Sequence, residues 1–164
     1  KAGQAVDARI SNTSSGAGLQ GSVGQATYSA AKAGIAGLTL VAAQEMGRYG
    51  VTVNAIAPVA RTRMTEGAFD TSAMALPEDN SPLVAWLASE EAGDVTGRVF
   101  EIDGSVITVE NGWSHGPSRD AGRRWVATEV GHRLAHGGCG CESALRCEWS
   151  LSARQARRDE IHCR

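Results

Sequence analysis

Ile10-Ser11-Asn12-Thr13-Ser14-Ser15-Gly16-Ala17-Gly18, followed after a glycine-rich turn by Gly24-Gln25-Ala26-Thr27-Tyr28-Ser29-Ala30-Ala31-Lys32-Ala33-Gly34, is the stretch that decides the fold of this chain. Tyr28 and Lys32 stand four residues apart in an alanine-rich, helix-favouring run, so both side chains leave one face about one turn apart. Upstream, Ser14 and Ser15 close a short apolar segment and enter the glycine-rich turn, where a strand end can expose a hydroxyl. A phenol, an ammonium and a hydroxyl are thereby expected to meet at one carbonyl.

The chemistry explains the grouping. A free tyrosine has a pKa of about 10 and is a poor base near neutrality. A neighbouring lysine ammonium favours the phenolate and draws the tyrosine toward working pH. A serine hydroxyl holds the reacting oxygen while the tyrosine moves its proton. A hydride must then come from, or go to, a nicotinamide-type cofactor.

Asn12-Thr13-Ser14-Ser15-Gly16-Ala17-Gly18, the thirteen-residue step from Ser15 to Tyr28, and Tyr28-x-x-x-Lys32 together resemble the catalytic segment of the short-chain dehydrogenases/reductases. Tyr-x-x-x-Lys alone arises in many helices; joined to the serine loop and to Ala30-Ala31-Lys32-Ala33-Gly34 it is specific. The resemblance implies Ser15 rather than Ser14 as the substrate-binding serine, Tyr28 as general acid/base, and Lys32 as both its electrostatic partner and a ligand of the nicotinamide ribose. The rival reading is an exposed i,i+4 pair on an ordinary helix.

Around this centre the chain reads as alternating strands and helices. Residues 7–14 form a short strand in which Ser11 replaces the family's usual aliphatic residue. In a buried strand an unpaired hydroxyl there would cost about 1–3 kcal/mol. Gly16 to Gly24 read as a loop over the site. A helix over about 26–48 follows, with Ile35, Leu38, Ala42 and Met46 as its core face and a glycine stop. Its small-residue face, Ala30, Ala33, Gly34 and Gly37, suits close approach of another helix; by resemblance this is a subunit interface, and otherwise plain packing on the chain's own sheet. Val51-Thr52-Val53-Asn54-Ala55-Ile56-Ala57 is the clearest strand, bounded by Gly50 and Pro58. Strand, helix and strand make a right-handed βαβ unit and a parallel sheet, whose ligands sit beyond the strands' carboxyl ends.

Pro58-Val59-Ala60-Arg61-Thr62 departs from the common family pattern, with valine for glycine and the threonine one place early. In this form it resembles the (3R)-hydroxyacyl-CoA dehydrogenase module of type 2 multifunctional enzymes and its bacterial relatives. The resemblance implies cofactor contacts from Tyr28, Lys32, Pro58, Ala60 and Thr62, the last two near the nicotinamide carboxamide. Arg61 and Arg63 read as solvated. Residues 66–76 read as a mobile substrate loop. A helix runs from Pro77 through Ser89 with Pro82 in its first turn and Leu83, Val84, Trp86 and Leu87 buried. Residues 97–104 are the last sheet strand, followed by Val106-Ile107-Thr108-Val109.

The expected class is α/β, a partial Rossmann-like, doubly wound parallel sheet. The glycine-rich phosphate loop and the acidic or basic ribose selector of such domains are not found in the sequence. The expectation is a chain that starts midway through the fold and lacks its N-terminal half. Two segments follow: 1–117, the catalytic half of the family domain, and 118–164, an Arg/Cys-rich, non-family tail expected to be disordered. Residues 119–164 hold nine of the sixteen basic residues and all four cysteines. Zinc binding by Cys139, Cys141, Cys147 and Cys163 with His132, His136 and His162 is the sharper rival, but the spacing is not the paired one structural zinc prefers; no metal is expected.

Composition narrows the function classes. The net charge of −2 excludes a strongly basic nucleic-acid or membrane-surface protein. Hydrophobic content of 42% with 21% charged residues suits a globular domain. The first 138 residues carry no cysteine, which fits a reduced, cytoplasmic setting. The expected function is hydride exchange between NAD or NADP and a carbonyl/alcohol pair, a 3-hydroxyacyl thioester foremost. The complete family fold implies a homo-oligomer. The alternative is a truncated, inactive fragment or an interaction module.

Overall fold

The computed structural model describes residues 6–62, 74–115 and 118–135. The chain forms two compact units, Lys1–Ser114 and His115–Arg164. The first holds strand β1 (Ala8–Thr13), a short helix α1 (Gly16–Gln20), the long helix α2 (Ala26–Met46), strand β2 (Val51–Val59), helix α3 (Ser81–Ala88) and the hairpin β3 (Val99–Asp103) and β4 (Val106–Glu110). The strands lie in the order β1-β2-β3-β4. The first three are parallel, with Thr13 opposite Ile56 and Ala57 opposite Glu101; β4 returns antiparallel to β3. The α/β class and parallel sheet match the sequence-based expectation.

Alternation along β2 assigns its two faces. Val51 and Val53 pack with Ala8, Ala42, Ala43 and Met46, which puts α2 on one side of the sheet. Ile56 points the other way, into a cluster with Leu83, Leu87, Phe100 and Ile102, which puts α3 on the opposite side. Each large side chain in that cluster contributes about 1.5–3 kcal/mol by burial. Polar residues tie the layers together. The buried Asn54 amide donates to Val95 O at 2.7 Å and its Oδ1 accepts from Arg98 N at 3.0 Å, which fixes the approach to β3. Asn12 of β1 donates to Thr39 Oγ1 at 3.0 Å, and Thr39 donates in turn to Ile35 O at 2.8 Å.

Several expectations change in detail. Gly16 to Gly24 is not a plain loop: Ser15 caps α1, its Oγ accepting from Ala17 N. Helix α2 buries Thr39 and Ala43, whereas Leu38 is 60% exposed. Apolar residues occur on nearly every side of α2, so hydrophobicity alone does not select the face; Ala42, Ala43 and Met46 meet the sheet, whereas Ala30, Ala33, Gly34 and Gly37 are exposed and do not pack on it. The helix ends in a turn over Gly47–Tyr49 closed by Gly50 at φ 76°, where a Cβ would collide with Val6 O.

Strand β2 does not stop before Pro58 but runs through it to Val59. Ile56 O accepts from Ser14 N, and Ala55 N donates to Arg98 O, so even-numbered β2 residues turn their backbone to β1 and odd-numbered ones to β3. Pro58 therefore presents its donorless nitrogen to the β1 side, one step beyond the last β1 pairing, and no ladder bond is lost.

Ser11 is exposed, so its hydroxyl carries no burial cost. Pro82 lies in the first turn of α3 as expected. Leu83 and Leu87 are buried, but Trp86 is 37% and Val84 38% exposed; Trp86 meets Phe100 edge-to-face, 6.2 Å between centroids, rather than entering the core.

In the second unit, helix α4 spans Ala127–Ala135, within the segment expected to be disordered. Glu129 in its first turn binds Arg123 through both carboxylate oxygens, at 2.7 and 2.8 Å. Most of the expected substrate loop, Arg63 and all four cysteines lie outside the described residues. Among the described residues, no helix is long and apolar enough to cross a membrane, and no group of three or more His, Cys, Asp or Glu is placed to hold a metal.

Candidate active site

The site grows from the carboxyl ends of β1 and β2, where parallel strands leave backbone groups facing solvent. Strand β1 delivers Thr13, Ser14 and Ser15 in succession to this edge. Ser14 is 2% exposed; its N donates to Ile56 O at 2.7 Å, and its Oγ donates to Lys32 O at 2.8 Å. Its backbone N–H and its hydroxyl thus hold the strand end against β2 and α2. Ser15 is half-buried, has extended backbone (φ −165°, ψ 150°), and accepts from Ala17 N at 3.2 Å. Its Oγ–H is left to donate elsewhere. The structure accordingly separates the two serines by role, with Ser14 inward and Ser15 at the surface of the turn.

Helix α2 supplies the other two groups. Tyr28 sits in its first turn and is 44% exposed. One turn on, Lys32 Nζ stands 5.7 Å from the Tyr28 ring centroid, within cation–π range. The same ammonium donates to Thr13 O at 2.9 Å. The four-residue spacing has therefore placed phenol and ammonium on one face, and that face looks at the serine turn. Lys32 touches the strand end twice, through its carbonyl and through its ammonium.

Close packing closes this corner. A Cβ on Gly18 would stand 2.6 Å from Lys32 C and Cβ, so α1 lies directly on the α2 backbone at that residue. A Cβ on Gly16 would stand 2.9 Å from Glu101 Oε2, which brings a carboxylate of β3 beside the turn. Gly18 thus serves helix contact, and Gly16 faces a side chain of β3.

Pro58 lies one residue before the end of β2, beside the same edge, and Ala60 and Thr62 follow, half-buried, in the irregular exit; Arg61 N donates to Ala75 O at 2.8 Å and ties that exit to the segment before α3. Arg61 is exposed. The sequence reading singled out Ser15, Tyr28 and Lys32, but it missed the parts played by Thr13 O, Ser14 Oγ and Gly18. The doubled serine at a strand end was the available signal, because two adjacent residues of a strand face opposite ways.

A phenol and an ammonium thus stand beside a serine turn at the carboxyl edge of a parallel α/β sheet, the arrangement the sequence led us to expect. The comparisons agree. Residues 4–73 match the family model described as short chain dehydrogenase. A hydroxyacyl-CoA dehydrogenase of Mycobacterium tuberculosis, ChsB1, is 49% identical over 115 residues, 65% of this chain and 36% of the relative. The peroxisomal hydratase-dehydrogenase-epimerase of Neurospora crassa is 46% identical over 101 residues, 60% of this chain and 11% of the relative. A crystal structure of a short chain dehydrogenase from Mycobacterium avium superposes with a TM-score of 0.72 at 61% identity, covering 82% of this chain and 44% of that one. Over the matched stretch the chain is similar to the short chain dehydrogenases, with a hydroxyacyl-CoA dehydrogenase among its relatives. It spans less than half the length of these relatives.

Proposed function

We propose that this chain carries the proton-transfer centre of a nicotinamide-dependent oxidoreductase acting on a carbonyl/alcohol pair, with a 3-hydroxyacyl or 3-oxoacyl thioester as substrate. The observation that carries the reading is the placement of Tyr28 and Lys32 on one face of α2, 5.7 Å between ammonium and ring centroid, with that face tied to the strand end that presents Ser15. The named activities of the relatives support the substrate class.

In reduction, the Ser15 hydroxyl donates to the substrate carbonyl oxygen and orients it. Tyr28 gives its phenolic proton to the same oxygen, completing the alcohol. The Lys32 ammonium steadies the negative charge left on the phenol. In oxidation, the same residues run the proton in reverse.

The residues also fit a nicotinamide riboside. Lys32 has three N–H donors and uses one on Thr13 O, which leaves donors for a vicinal diol. Ala60 and Thr62 follow β2 at the same edge, where a backbone and a hydroxyl would meet a carboxamide. When bound, NADH or NADPH supplies the hydride.

The test is turnover of a 3-oxoacyl thioester, followed by the loss of reduced-nicotinamide absorbance. Tyr28→Phe is expected to lower kcat by at least about a hundredfold, while titration with reduced cofactor shows binding retained. Undiminished turnover in that variant would overturn the mechanism.

A second reading has an observation of its own: on the outer side of α2, Leu38, Leu40 and Val41 are 60%, 45% and 52% exposed beside Gly34 and Gly37. Such a face suits packing between copies of an oligomeric dehydrogenase, and equally an interaction module without catalysis. Calorimetry with NADH and NADPH separates them, since the module binds neither.

A further inference from the structure

We propose that Ser14, the serine that the reaction does not touch, is a positioning residue: with Thr13 it grips Lys32 at both ends and thereby sets where Ser15 stands relative to Tyr28. The proposal rests on the reading of Ser15, Tyr28 and Lys32 as the reacting groups.

The two hydrogen bonds run in opposite directions across one gap. Ser14 Oγ donates to Lys32 O at 2.8 Å, and Lys32 Nζ donates to Thr13 O at 2.9 Å. A single bond would leave the strand end free to pivot about it. Two bonds from adjacent residues, reaching the backbone and the side-chain tip of one lysine, hold both distance and orientation. The backbone half of this clamp is buried, with Ser14 2% exposed, so water does not compete for it.

Gly18 adds a steric limit on the far side of the turn. With no room for a Cβ between Gly18 and the Lys32 backbone, α1 rests against α2 at the residue that the clamp holds. Ser15 lies between these two fixed points, one residue after Ser14 and three before Gly18. Its oxygen is further set by capping α1 through Ala17 N. Tyr28 lies one helical turn before Lys32 on the same rigid helix. The serine-to-phenol geometry is therefore transmitted through Lys32, whose backbone carries information that its charge does not.

The chain lends itself to the test, for it contains two lysines, Lys1 and Lys32, and two tyrosines, Tyr28 and Tyr49. Lysine labelled at its carbonyl carbon gives two NMR signals in the full chain, and fluorotyrosine in a Tyr49→Phe background gives one. Ser14→Ala is expected to shift the Lys32 carbonyl signal and to shift or broaden the Tyr28 fluorine signal, while the protein keeps a cooperative melt. Gly18→Ala, which leaves every hydrogen-bonding group in place, is expected to move the same two signals.

In turnover assays both variants should lose kcat by about ten- to a hundredfold, with KM for the reduced nicotinamide unchanged within about twofold; a merely structural role would lower the amount of folded protein and leave kcat per folded molecule intact. Unmoved signals in both variants would overturn the clamp whatever the activity, and so would moved signals with full kcat. A wild-type chain that binds cofactor and turns over no carbonyl substrate would instead overturn the functional reading. The two NMR signals would still decide the clamp in that case.

Discussion

Strands β2 and β4 are built from nearly the same material, and they live in opposite surroundings. Val51-Thr52-Val53-Asn54-Ala55-Ile56-Ala57 is buried along almost its whole length, with Val53, Ala55 and Ala57 fully so. Val106-Ile107-Thr108-Val109 is as rich in β-branched residues, yet Val106, Ile107 and Val109 are 56%, 52% and 48% exposed. Strand propensity is a property of the residues; burial belongs to the neighbours. Strand β2 has a strand on each side and a helix on each face, whereas β4 closes a hairpin at the edge of the sheet.

Substitutions graded along this contrast should break or sharpen it. Ile56→Ala removes a 7%-exposed side chain from the cluster under α3 and is expected to cost about 2–5 kcal/mol in urea unfolding. A cost below 1 kcal/mol would mean that this cluster is not a core. Asn54→Ala strips both partners from the buried amide, leaving Val95 O and Arg98 N unsatisfied; about 1–3 kcal/mol is expected, with faster hydrogen exchange at Arg98. Ile107→Thr on β4 keeps the branched shape and removes only half-exposed apolar surface, so its unfolding free energy should change by no more than about 0.5 kcal/mol. A large loss there would show that another surface covers β4.

The same contrast explains what the sequence disclosed. Periodicity and punctuation located α2, β2 and the β3 segment closely, because glycine and proline bound them and their patterns are long. Tyr28 and Lys32 were legible for the simplest reason: helical spacing alone puts them on one face. Burial was harder to read. Leu38 and Trp86 are large and apolar and were expected inside; Leu38 lies on the outer side of α2, and Trp86 only leans on the edge of Phe100. Thr39 is fully buried and was passed over, since its place depends on Asn12, twenty-seven residues away in the chain and adjacent in space. The α1 turn was hidden by its glycines, which disfavour a helix locally until Ser15 caps it and Lys32 packs against it. Ser14 shows the same limit: its hydroxyl has meaning only through a carbonyl eighteen residues ahead.

Pro58 has a consequence for the shape of the working edge. The next rung between β1 and β2 would need an N–H from position 58 reaching toward the Ser14 carbonyl, and an imino acid offers none. Zippering of the two strands is therefore arrested by covalent structure at the point where the serine turn begins. The tips of the two strands are thereby left unpaired beside the serine turn, where the proposed reaction would take place, without any moving part.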